Sequence, residues 1–152
     1  EDIFSFMGFP IKVLDVAGHT NTHVAYYMPP KDGTNSKPSL FCGDTLFGAG
    51  CGRLFEGTAK TMYKTLRRLN ELPENTQIYC AHEYTEDNLR WASSLRPNNN
   101  SIRQRLTKVS KLPQRGELSL PSTISEEKAT NLFLLAKNSR ELAILRKNKD
   151  EW

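Results

Sequence analysis

Cysteine and histidine are both scarce in this sequence: Cys42, Cys51 and Cys80 are the three cysteines, and His19, His23 and His82 the three histidines. An odd number of cysteines, none in C-x-x-C spacing, makes no disulfide framework and points to a reducing compartment, the cytoplasm with the mitochondrion as alternative. No apolar run approaches the roughly 18 residues that a membrane span needs. Glu1-Asp2-Ile3-Phe4 has neither the basic start nor the apolar stretch of a signal peptide. There is no initiator Met either, so the chain is expected to derive from a longer reading frame. Internal repeats and low-complexity segments are absent.

What is present fits a globular protein, with 38% hydrophobic and 25% charged residues. The net charge of +4 is unevenly spread. Residues 1–89 hold 8 of the 21 basic and 11 of the 17 acidic side chains, and residues 90–152 hold the remaining 13 and 6. A basic second half suits nucleic acid, a membrane surface or a small anion, or is simply a solvated helical surface.

The first half reads as strands joined by loops. Residues 12–16, 23–28 and 40–42 are β-branched and aromatic runs bounded by turn residues. Residues 29–38 form a Pro- and Gly-bearing loop. Gly43, Gly48, Gly50, Gly52 and Gly57 make the following stretch a shaped loop that lets backbone pass close to something. Thr58 is placed to cap a helix carrying Met62, Leu66 and Leu69 at helical spacing. A short strand at 77–80 and a second helix, capped by Thr85 and ending before Pro97, complete this half. Beyond it, Ile102, Leu106 and Val109 predict one amphipathic helix, residues 113–121 a connector, Ser122 to Glu127 a helix start with acids in its first turn, and residues 139–149 a last basic helix.

Three side chains stand just past strand ends: His19 in Ala17-Gly18-His19-Thr20, Asp44 in Cys42-Gly43-Asp44-Thr45, and His82 in Ala81-His82-Glu83-Tyr84. If those strands are neighbours, the three converge, and imidazole with carboxylate suits zinc, iron or manganese. A histidine at a strand end is also often a packing residue, and Gly-Asp is often only a turn. Spacing alone leaves both readings open.

The words around these residues resemble the glyoxalase II (hydroxyacylglutathione hydrolase) family of the metallo-β-lactamase superfamily. They are Ala17-Gly18-His19-Thr20, the block Leu40 to Phe47, the block Gly50 to Ala59, His82-Glu83-Tyr84-Thr85, Pro121-Ser122-Thr123-Ile124 and Arg146 to Asp150. The resemblance implies an α/β fold: residues 1–97 as the second half of an αββα sandwich, and residues 98–152 as a mostly helical glutathione-binding domain. It implies two divalent metal ions (zinc, with iron or manganese as alternatives), bridged by Asp44, with His19 on one and His82 on the other. Arg53, Phe55, Tyr84, Arg146 and Lys149 would hold a glutathione thioester. Hydroxide formed on the metals would attack the thioester carbonyl of an S-2-hydroxyacylglutathione, releasing a 2-hydroxy acid and glutathione, a step of methylglyoxal detoxification. Neither nucleic acid nor membrane is an implied partner, and the complete enzyme is expected to be a monomer.

The chain departs from the family pattern in several places. Phe55 stands where Tyr is usual, Ala17 where Pro is common, Ala81 where Gly is common, and Leu132 replaces a Pro. The T-H-x-H-x-D-H motif, which supplies two ligands to each metal, is nowhere in the sequence. His23, at a strand start, is expected to support rather than ligate. Cys42 and Cys80 read as small buried hydrophobes and Cys51 as the more exposed thiol. The chain alone is therefore expected to be inactive, to hold no full metal pair, and to self-associate through an uncovered sheet face. Two rival readings are another hydrolase or a persulfide dioxygenase of the same superfamily, and a catalytically silent glutathione-binding module.

Overall fold

The computed structural model describes residues 2–152. Its main sheet has six strands, β1 (Ile3–Phe6), β2 (Phe9–Asp15), β3 (Val24–Met28), β4 (Ser39–Gly43), β7 (Gln77–Cys80) and β8 (Ser122–Thr123), in the spatial order β1-β2-β3-β4-β7-β8. All neighbours are antiparallel except β4 and β7. Because β2 and β4 both run antiparallel to β3, and β7 runs parallel to β4, the carboxy-terminal ends of β2, β4 and β7 reach the same sheet edge. The loops that carry His19, Asp44 and His82 leave from that edge.

Two further strands, β5 (Leu46–Phe47) and β6 (Gly50–Cys51), pair into a tight hairpin within the glycine-bearing segment, where the sequence predicts only a loop. The β1–β2 hairpin was not legible either. Its turn places Met7 at φ +50 beside Gly8 at φ +79, and methionine gives no signal for a left-handed turn position.

The helices are α1 (Ala59–Leu69), α2 (Thr85–Leu95), α3 (Asn100–Val109), α4 (Ile124–Thr130), α5 (Leu132–Leu135) and α6 (Ser139–Asp150). Thr58 caps α1 as expected, its hydroxyl accepting the Thr61 amide at 3.1 Å. Thr85 does not cap α2: it is the helix's first residue, and its hydroxyl bonds Ser119 Oγ at 2.6 Å instead. Ser122 and Thr123 extend the sheet before Thr123 caps α4 through the Glu126 amide. Among the described residues no helix is long and apolar enough to cross a membrane.

Alternation along the strands gives the sheet two unlike faces. Leu14, Ala25, Tyr27, Leu40, Cys42 and Ile78 are buried on one, beneath Met62, Leu66 and Leu69 of α1. On the other, the register aligns Val13, Tyr26, Phe41 and Tyr79 in one row across four strands. Tyr26 and Phe41 are each 42% exposed, and the Phe41 and Tyr79 rings stack at 5.1 Å. This is the uncovered apolar face that the sequence led us to expect.

The buried cluster does not stop near residue 97. It runs from Leu14 through Trp91 and Phe133 to Leu145. Trp91 of α2 stacks on Phe133 of α5 at 5.3 Å and donates its indole N–H to Asn148 Oδ1 of α6 at 2.8 Å. The helices after residue 98 thus share one core with the sheet.

Candidate active site

A cleft of about 400 Å³ opens at the sheet edge where the three ligand candidates emerge. The residues that the resemblance assigns to the site all line it: His19, Asp44 and His82 from the loops after β2, β4 and β7, Arg53 and Phe55 from the segment after β6, Tyr84 just before α2, and Arg146 and Lys149 from α6.

Asp44 sits between two imidazoles. His82 Nε2 lies 3.2 Å from its Oδ1, and His19 Nε2 lies 3.8 Å from its Oδ2. The other ring nitrogen of His19, Nδ1, meets the Arg53 carbonyl at 2.8 Å. A carbonyl can only accept, so Nδ1 carries a proton, and in the neutral ring Nε2, on the Asp44 side, is the nitrogen left to act as a donor to a metal. His23 supports from behind, its Nε2 accepting the Asp44 backbone N–H at 3.2 Å. Gly43 makes this possible at φ +51, since a Cβ there would lie 2.7 Å from that nitrogen. Gly52 has a similar role on the opposite side. A Cβ on it would meet the Asp44 carbonyl oxygen at 1.9 Å and His19 Nδ1 at 3.1 Å, so only glycine lets the hairpin strand lie this close to both.

A carboxylate flanked by one imidazole nitrogen on each side is a donor set that fits a carboxylate-bridged pair of divalent ions. It fits as part of such a centre only. Two ions ask for about four ligands each, and among the described residues no group of three or more His, Cys, Asp or Glu side chains closes round a single point.

The aromatic residues form the sides. Tyr84 stacks on His82 at 4.7 Å, and Phe47, which the sequence did not single out, packs edge-on against both His82 and Tyr84. Phe55 is 70% exposed, with its ring 4.8 Å from that of His19.

The cations of the cleft are already engaged. Arg146 is buried: Nη1 donates to the Cys51 carbonyl at 2.7 Å, Nε and Nη2 reach Asp150 Oδ1 at 2.9 Å, and the guanidinium lies over Phe133. Lys149 Nζ pairs with Asp87 of α2, and Arg53 Nε approaches Asp150 at 3.8 Å. Asp87 and Asp150 were not legible as site residues, because a lone acid in the first or last turn of a helix carries no signal beyond the helix dipole.

The thiols differ from expectation in one respect. Cys51 is buried and Cys80 is the more exposed of the three. Burial pushes the Cys51 thiol up to about 11, although neighbouring Arg146 pulls the other way. Burial raises Cys42 and Cys80 as well. Raised thiols are poor nucleophiles at neutral pH, so no cysteine here is poised for covalent chemistry.

Residues 83–152 match the family described as "Hydroxyacylglutathione hydrolase C-terminus". A hydroxyacylglutathione hydrolase of Prochlorococcus marinus (strain MIT 9303) is 60% identical over 151 residues, covering 99% of this chain and 58% of that protein. Another, from Synechococcus sp. (strain CC9605), is 51% identical over 151 residues, covering 99% of this chain and 61% of that protein. The resemblance read from short blocks therefore holds along essentially the whole chain, and the chain spans about three-fifths of the length of these relatives. Among solved structures, ETHE1 from Myxococcus xanthus superposes with a TM-score of 0.64 at 23% identity, covering 97% of this chain and 49% of that one. A metallo-β-lactamase from Staphylococcus aureus gives 0.62 at 22% identity, covering 96% and 40%. These two establish the fold, a metallo-β-lactamase α/β architecture with a helical carboxy-terminal part.

Proposed function

We propose that this chain is the carboxy-terminal part of a hydroxyacylglutathione hydrolase, and that the full-length protein cleaves S-2-hydroxyacylglutathione thioesters to a 2-hydroxy acid and glutathione. S-D-lactoylglutathione is the proposed substrate, within methylglyoxal detoxification, in the cytoplasm or the mitochondrion. The observation that carries this reading is the cleft itself. It brings the Asp44 carboxylate, between His19 Nε2 and His82 Nε2, into one cleft with the cations Arg146 and Lys149. A thioester that also bears a carboxylate matches a cleft with both features.

His19, Asp44 and His82 would hold two divalent ions together with donors from the rest of the protein. Zinc is the first choice for a nitrogen and oxygen donor set, with iron and manganese as alternatives. When bound, such ions bring a water to near-neutral pKa and polarise the thioester carbonyl. The chain's own residues do the rest. The Arg53 carbonyl keeps the His19 proton on Nδ1, so that Nε2 stays free. Phe47 and Tyr84 keep the His82 ring in its stacked position. Phe55 offers an apolar wall beside His19. Lys149, with Arg53 and Tyr84, is positioned for the polar groups of a tripeptide thiol, and Arg146 sets the backbone from which they work. Glutathione leaves as a thiolate, a weak base, so no dedicated acid is required.

The test is thiol release from S-D-lactoylglutathione by the full-length protein. Asp44→Ala should lower kcat by at least about a thousandfold, as expected when a group acting on both ions is lost. It should also strip metal from the protein on elemental analysis. Near-normal turnover and metal content in that variant would overturn the reading. For the isolated chain we propose the silent alternative: inactive, without a full metal pair, and self-associating through the exposed row of Tyr26 and Phe41. The departure that favours it is a donor set of three side chains where two ions need about eight ligands. Two tightly bound ions per isolated chain would refute it.

A further inference from the structure

The hairpin β5–β6 is held from the helical side by groups whose chemistry the proposed function does not use. Glu127 of α4 is fully buried, as is Arg105 of α3 apart from 5% of its surface, and the two pair at 2.7 Å. A buried ion pair is seldom a net gain in stability over apolar packing, so its presence asks for another role. Glu127 Oε2 accepts the Ala49 N–H at 2.7 Å, 78 residues away in sequence. Ala49 is the non-glycine residue at φ +54 in the hairpin turn. The same Oε2 accepts from Asn131 Nδ2 at 3.1 Å, and that nitrogen also reaches the Gly50 carbonyl at 2.9 Å and the Phe47 carbonyl at 3.3 Å. Every backbone group at the hairpin tip that these side chains reach is thus fixed by a charged or amide partner.

Both arms of the hairpin lead to metal-ligand candidates. The first arm ends in Phe47, which packs on His82 and Tyr84. The second passes Gly52, in contact with the Asp44 backbone, to the Arg53 carbonyl that holds His19 Nδ1. We propose that Glu127, oriented by Arg105 and assisted by Asn131, is a positioning residue: it sets the height of the hairpin over Asp44 and thereby the orientation of both His19 and His82. This rests on the functional reading above for its kinetic consequence, though not for its geometric one. Three donors meet one carboxylate here: the Ala49 amide, the Asn131 amide and the Arg105 guanidinium. An ionised Glu satisfies all three, whereas Gln must turn its own NH₂ toward one of them.

The experiment compares Glu127→Gln with Thr130→Val in the full-length protein. Thr130 Oγ1 accepts from the same Arg105 at 2.7 Å and donates to the Glu126 carbonyl, neither of them in the hairpin, so its replacement perturbs the buried network without the positioning contact. In E127Q the ring nitrogen signals of His19 and His82, followed by NMR in metal-free protein, should move, and in T130V they should stay. Turnover of S-D-lactoylglutathione should fall about tenfold or more in kcat with KM little changed, as for a misplaced reacting group, again in E127Q alone. If E127Q does not fold, Asn131→Ser keeps the cap on α5 and the Arg105–Glu127 pair while giving up the reach to Phe47 and Gly50, and the same two shifts are expected. Equal behaviour of the two variants, or unmoved imidazole signals in E127Q, would overturn the proposal. A wild-type protein inactive on the thioester would instead sink the functional reading, and the imidazole signals would still decide this one.

Discussion

At the sheet end of the cleft, Asp44 has an imidazole on either side, and neither is closer than 3.2 Å. At the helix end, Arg146 and Lys149 each have a carboxylate in direct contact, Asp150 and Asp87. The first gathers nitrogen and oxygen donors of the kind a divalent ion takes. The second brings its counter-ions with it. For the sheet end, rigidity comes from outside, through the His23 nitrogen, the Arg53 carbonyl and the glycines that let backbone approach. On the helix side, the ligand carboxylate of the proposed function would have to compete with acids already in place, and the two cations are unequal in that competition. Lys149 meets an acid whose side chain is 65% exposed, while Arg146 is packed on Phe133 and bonded to the backbone of Cys51.

That inequality can be broken experimentally. Removing Arg146 should have the largest effect and should show first in stability. Arg146→Ala leaves the Cys51 carbonyl without its donor and the Phe133 face uncovered, costing about 2–3 kcal/mol, measured by urea unfolding of the full-length protein. A raised KM with unchanged stability would return Arg146 to direct ligand contact.

Alkali probes the same corner next. Cys51 titrates near 11 in the folded chain against an ordinary value of 9. The folded state therefore holds this proton more tightly, so the contribution is fully present below pH 9 and is lost as pH rises through the folded value. Cys51 should contribute up to about 1.4 kcal/mol per pH unit to the fall in stability between 9 and 11, beside the raised Cys42 and Cys80 thiols, and Cys51→Ala should make that part of the profile shallower. An unchanged slope in the variant would show that this thiol is not the group responsible.

Lys149→Ala should act mainly on binding, raising KM for the glutathione thioester by about tenfold with kcat less affected and only a small change in unfolding midpoint, since the exposed partner limits what the pair contributes. Smallest of all, Asp87→Asn should lower KM by about twofold, because the rival carboxylate is gone while the cation stays. A rise in KM would mean that Asp87 orients Lys149 for the ligand rather than competing with it.

The sheet end was legible in the sequence and the helix end only half so. His19, Asp44 and His82 follow strand-forming runs directly, and local pattern is enough to place a residue at a strand's end. Arg146 and Lys149 could be put on one face of α6 by their spacing, but not assigned partners. Asp150 lies at i+4 from Arg146 on the same helix, a pairing that local spacing allows, but the other partners come from α2 and from the backbone of β6, and no local rule pairs such segments. The same holds for Glu127, which reads in sequence as an ordinary acid in a helix's first turn. Its real partners are an amide 78 residues earlier and the side chain of Arg105. Cys51 reads in sequence as the more exposed thiol, yet it is buried, and its flanking glycines are what let the hairpin lie against Asp44 and Asn88.

The stack of Trp91 on Phe133, tied by an indole hydrogen bond to Asn148, has a bearing on modularity. A chain cut between residues 97 and 98 would not yield a sheet and a transplantable helical module. It would tear one aromatic pair in half, and each piece would carry the unsatisfied side. Shuffling this helical segment onto another sheet of the same fold would require the recipient to offer a matching tryptophan pocket. The helical segment that carries Arg146 and Lys149 is thus tied to the sheet that carries His19, Asp44 and His82, and the two can only be exchanged together.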